Sequence, residues 1–99
     1  MVEGKKPDIN ALLFTQLVMS FQVAALQHMG KAPDPISGKS EKKMELAKNS
    51  IDILGMIEEK TSGNLTDDER KFLQQTLTQL RMIYVEETNK QSQNDKQDK

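Results

Sequence analysis

The chain contains no cysteine and one histidine. No disulfide or thiolate metal site can staple it, and no multi-histidine metal site can form within one copy. Aromatic residues are few, three Phe and one Tyr. All four fall on apolar helix faces, so the basic surface with interleaved aromatics used to stack single-stranded nucleic acid is missing. Neither sign of charge dominates: 14 Lys/Arg stand against 15 Asp/Glu, a formal net −1. Such balance gives no long-range pull toward nucleic acid or anionic lipid. The most informative absence is local: between Ile9 and His28 there is no charged residue.

What fills that stretch is apolar on too many sides. At about 100° per residue, a wide face carries Leu13, Phe14, Leu17, Val18, Phe21, Ala24, Ala25 and Met29, and a narrow face carries Leu12, Met19, Val23 and Leu26. Gln16, Ser20 and Gln27 form one polar strip between them, and Thr15 and Gln22 form the other. A surface helix needs one apolar stripe; two stripes imply two neighbours. A folded part of about 80 residues is marginally stable on its own core, so the expected second neighbour is another copy, with a dimer favoured. As a membrane span the stretch reads as too short and too polar. As an export signal it lacks a basic leader and a good cleavage site. The expectation is a cytoplasmic protein that does not engage a membrane.

Three helices are predicted. The first starts after the N-cap Asp8 and stops at Gly30. Pro33, Asp34, Pro35 and Gly38 make residues 30–40 a loop. The second helix is expected from Glu41 to Thr61 with Ser40 as its cap, its apolar half carrying Met44, Leu46, Ala47, Ile51, Ile53, Leu54 and Ile57. Gly63 can end it. Thr66-Asp67-Asp68-Glu69 is a capping box that opens the third, which runs to about Glu87 with Phe72, Leu73, Thr76, Leu77, Leu80, Ile83 and Tyr84 on one face. The short connection forces an antiparallel hairpin. Residues 1–7 are expected to be a flexible N-terminus, 8–87 a single helical domain, and 88–99, which hold no apolar residue, a disordered tail. The fold class is therefore all-α, a three-helix arrangement completed by homo-oligomerisation.

Several pieces also follow a family pattern: Phe14 to Phe21, His28-Met29-Gly30, Pro33 to Pro35, Leu46-Ala47-Lys48, Ile51-Asp52, Glu59-Lys60-Thr61, Gly63-Asn64-Leu65-Thr66 and Leu80-Arg81. The chain resembles, over most of its length, a small bacterial family known as "domain of unknown function 1844". The run from Lys60 to Thr66 is the most specific part. The resemblance implies a helical domain in bacterial cytoplasm and brings no activity or catalytic residue. Gly55 departs from it, standing where a larger polar residue is usual, which weakens the second helix by up to about 1 kcal/mol.

No constellation points to an enzyme, a metal or a cofactor. Gly38-Lys39-Ser40 echoes the end of a phosphate-binding loop, but Pro33 occupies the first glycine position and no strand precedes it. His28 sits where a histidine can donate to the last helix carbonyls. Asp67, Asp68 and Glu69 are contiguous at a helix start, unlike the alternating ligands of a calcium loop. Arg81 is expected across the hairpin from Glu45 to Lys48, where it can pair with Glu45. The expected function is a non-enzymatic interaction or oligomeric adaptor module. Its partner-binding residues are Leu12, Met19, Val23 and Leu26, with Met82 on the third helix; Met56 and Val85 also lie off the core stripes. The alternative is a nucleic-acid or ribosome-associated accessory factor using Lys39, Lys42, Lys43 and Lys48 as a small basic patch.

Overall fold

In the computed structural model, residues 8–33, 36–38 and 41–97 are described, with side chains as far as Lys90. The elements are α1 (Ile9–His28), α2 (Met44–Lys60) and α3 (Asp67–Gln97), with no strand among the described residues. The predicted all-α, three-helix arrangement with its α2–α3 hairpin is thus observed within one chain. The N-terminal segment 1–7, Ser40 and Lys39 lie outside the described residues.

Both ends of α1 are built by local chemistry. The Asp8 carboxylate accepts from the backbone N–H of Asn10 at 3.0 Å and Ala11 at 3.3 Å, satisfying donors a helix start leaves orphaned. At the other end Gly30 takes φ +77°. Its N–H donates to the Gln27 carbonyl at 3.0 Å, and Lys31 N–H donates to Leu26 at 2.8 Å. This pair of bonds is a Schellman closure, in which the left-handed glycine lets the chain turn off the helix.

The α2–α3 hairpin follows its sequence signals. Gly63 has φ +84°, and Thr66 and Glu69 exchange the two bonds of the capping box at 2.9 and 3.1 Å. The start of α2 does not. The sequence predicts helix from Glu41, whereas residues 41–43 are non-helical and no side chain caps Met44. Tertiary bonds claim these residues instead: Lys42 bridges Met29 in an antiparallel pair, and Lys43 N–H donates to the His28 carbonyl at 2.6 Å. The far end of α3 departs in the opposite sense, running ten residues beyond Glu87 into the segment expected to be disordered. Once a helix is nucleated each further residue adds one bond, and the Gln and Lys residues of this segment are good helix formers. Thr88 also donates to the Tyr84 carbonyl at 2.8 Å.

The core lies where the three helices meet. It comprises Val18, Ala25 and Met29 near or on α1, Ala47, Ile51, Leu54 and Ile57 on α2, and Leu73, Leu77 and Leu80 on α3. The α3 stripe is as predicted. On α2, Leu46 is exposed rather than buried, and Ser50 is buried in its place. On α1 the correction is larger. Val18 and Ala25 are wholly buried, Phe14, Phe21 and Leu26 pack against the core, and Leu13 and Leu17 from the expected wide face stand in solvent. The line that faces the bundle runs through the buried Val18 and Ala25, with the half-buried Ala11 seven residues earlier on the same line. The helix is consequently rotated. It half-buries the Thr15–Gln22 strip and leaves the Gln16–Ser20 strip outward.

Gly55 also has a tertiary use. Arg81 lies across from it, not beside Glu45, and a Cβ built at Gly55 would stand 3.2 Å from the Arg81 Nη2 atom. Arg81 forms no ion pair with Glu45 among the described residues. Because the crowding atom ends a flexible side chain, Gly55→Ala should cost little in contact and recover about 1 kcal/mol of helix propensity. The expected net gain is roughly 0.5–1 kcal/mol in chemical denaturation; a loss of stability would show that the guanidinium cannot move.

Candidate interaction surface

Two features of the finished bundle stand out from its surface: an uncharged apolar face on α1 and an ion cluster that closes the α1–α2 connection.

On α1 the outward side chains are Ile9, Leu12, Leu13, Leu17, Met19 and Val23, each between 43% and 63% exposed. They occupy an arc of about 160°, in two ridges on either side of Gln16 and Ser20. One ridge is Leu12, Met19 and Val23 and the other is Leu13 and Leu17, with Ile9 between them in line with Gln16 and Ser20. The Ser20 hydroxyl is turned back onto the Leu17 carbonyl at 2.7 Å, and Gln16 is exposed. No charge interrupts the arc. Three of the partner-binding residues predicted on this helix, Leu12, Met19 and Val23, are therefore brought together and accessible. Leu26 is not one of them, because the rotation of α1 packs it against the core. Met82 does not join them either. It stands 62% exposed on the outward side of α3, beside Val85 in a shallow depression of about 490 Å³ lined also by Thr78, Arg81 and Glu86. Ile9, Leu13 and Leu17 were missed as surface residues because helical periodicity groups side chains but does not say which group meets the bundle.

By length and composition α1 is also long and apolar enough to cross a membrane. Its 20 residues span roughly 30 Å at 1.5 Å per residue, which corrects the expectation that the segment is too short. One whole side of it is nevertheless committed to α2 and α3.

Two lysines of the predicted basic patch are paired with carboxylates. The Lys42 ammonium lies 2.6 Å from Glu87, and Lys48 lies 2.7 Å from Asp52. The Asp52 contact raises the Lys48 pKa, chiefly through the hydrogen bond. Lys43 is exposed at the start of α2, and Lys39 is outside the described residues.

Glu87 was not foreseen as a site, although Leu73, Leu80 and Glu87 recur at intervals of seven on the buried stripe of α3. A carboxylate on that stripe demands cations. The Glu87 side chain is 2% exposed and takes Lys42 on one oxygen, with Lys31 at 2.9 Å and Lys90 at 3.2 Å on the other. Lys31 follows α1 and Lys42 precedes α2, so one side chain of α3 holds both ends of the intervening loop. The hydrogen bonds from Lys42 and then Lys31 outweigh burial and bring the Glu87 carboxyl from an ordinary 4.5 down to about 2. The same contact raises the pKa of Lys31. A carboxyl depressed in the folded state contributes stability that is complete above its unfolded value and is lost as pH falls toward the folded one. The window here is pH 4.5 down to about 2. Glu87→Gln should lower unfolding stability at pH 7 by about 1–3 kcal/mol, the usual worth of hydrogen bonds to a charged group. It should also flatten the decline through that window. Denaturation curves that fall in parallel for both proteins would show the cluster to be energetically silent.

Among the described residues no three His, Asp or Glu side chains converge as a metal-binding group. The depression at the α2–α3 turn, about 210 Å³, is lined in part by Glu58, Thr61 and Arg70, and the Thr61 hydroxyl there donates to the Ile57 carbonyl at 2.7 Å.

Fold and surface together define a small three-helix domain, tied by an ion cluster, with one unpartnered uncharged helix face. The profile of a family described as a domain of unknown function (DUF1844) matches residues 11–86, and the chain belongs to that family. No curated protein and no solved structure matches it.

Proposed function

We propose that this protein is a non-enzymatic interaction module that works as a homo-oligomer, with the outward face of α1 as its contact. The observation that supports this is the set of six half-exposed aliphatic and methionine side chains on one uncharged helix. Monomeric proteins seldom leave a contiguous apolar patch of that kind in water. Hiding what remains exposed of each side chain is worth about 1 kcal/mol. Two copies would gain roughly 10 kcal/mol in gross terms, against an association cost of about 4–15 kcal/mol. At the favourable end of that range the balance describes a reversible dimer rather than a permanent one.

The nucleic-acid alternative loses its motive once Lys42 and Lys48 are paired with carboxylates. Sedimentation equilibrium across the micromolar range tests the oligomer directly. The expected result is a mass that rises from one chain toward two with concentration. A single-chain mass at every concentration overturns the proposal.

A further inference from the structure

The self-association proposed above leaves open how the two faces meet, and on that reading we infer that α1 lies antiparallel against α1 of a second copy, with Gln16 at the two-fold axis. A two-fold contact uses one patch twice, so the patch must complement itself. The outward face of α1 does. It carries no charge to be repeated against itself, and each apolar ridge meets its own copy. The exposed apolar residues run from Ile9 to Val23, and Gln16 is midway between them. Its amide has both donors and an acceptor, so two such groups related by a two-fold can pair with each other. Gln16 is exposed, while Ser20, the other polar residue beside it, is already bonded to its own helix.

Direction follows from the ends. A parallel pair would set two Asp8 carboxylates side by side and align both helix dipoles. An antiparallel pair separates the carboxylates and opposes the dipoles. A lipid occupant suits the face less well, since Gln16 and Ser20 lie along its centre and a hydrocarbon surface offers them no partner.

The absence of cysteine from the chain makes single cysteines unambiguous reporters. In the antiparallel pair Gln16→Cys should oxidise to an intermolecular disulfide. A mixture of Ile9→Cys and Val23→Cys, after chain exchange, should form the mixed disulfide. Neither of the latter should link to itself, because the two copies of position 9 would be roughly 21 Å apart along the axis, beyond disulfide reach. Self-linked Ile9→Cys would establish a parallel pair and overturn the inference. No cross-link at any of the three positions, in protein that sediments as a dimer, would move the contact off α1 while leaving self-association standing. A monomer by sedimentation overturns the oligomer reading itself. Flotation of the wild-type chain with phosphatidylcholine–phosphatidylserine vesicles, abolished by Val23→Asp, would assign the face to a membrane and overturn the inference too.

Discussion

Leu54→Ala is expected to destabilise the fold by about 2–5 kcal/mol, the range for removing a fully buried leucine. Leu54 is completely hidden in the middle of α2, among core residues contributed by all three helices. The substitution loses the transfer energy of the removed carbons and leaves a cavity that the surrounding Ile, Leu and Val side chains can only partly close. A domain of this size has little reserve, because small folds bury a modest fraction of their surface. The expected outcome is a much lower urea midpoint with an unchanged slope, or outright unfolding at 37 °C. The exposed Met56→Ala, two positions along the same helix, is the control and should move stability by less than about 0.5 kcal/mol. If the two variants unfold alike, the packing of α2 against its neighbours is wrong.

The second large effect is expected from Val23→Asp. Val23 lies in the ridge with Leu12 and Met19 and is 45% exposed, so an aspartate there is solvated in the isolated chain and should leave its fold intact. In the assembled protein two such carboxylates would be pressed into an uncharged contact with no cation on α1 to meet them. Leaving a charge unpaired at a buried contact costs several kcal/mol. Association should weaken by at least about a hundredfold, since 1.4 kcal/mol is a factor of ten. The clearest measurement is the thermal midpoint as a function of concentration. It should rise with concentration for the wild type and stay flat for Val23→Asp, with the dilute-limit midpoints coinciding. A variant that is merely less stable at all concentrations would place Val23 in the core instead.

Much of the architecture was legible in the residues because it rests on local rules. The Asp8 cap, the left-handed Gly30 and Gly63, and the Thr66–Glu69 capping box each satisfy backbone groups within a few positions along the chain. The apolar stripe of α3 could be read in the same way, since a helix with one stripe has one way to face its bundle. The family was visible too, in the run around Gly63-Asn64-Leu65-Thr66, and its profile covers residues 11–86.

Other features needed the assembled molecule. A helix with apolar residues nearly all round does not declare which side faces in. Packing turned Val18 and Ala25 fully inward, set Leu26 against the core and released Leu13 and Leu17. The late start of α2 follows from backbone pairing of Lys42 with Met29 and of Lys43 with His28, and the Lys42 ammonium is taken by a carboxylate far along the chain. Glu87 draws in Lys31 and Lys42 from the two ends of a loop. Caps, turns and periodicity act over three or four residues and were fixed by composition alone. The rotation of α1 and the ion cluster join groups up to 56 positions apart, from Lys31 to Glu87, and such pairings exist only after the helices have packed.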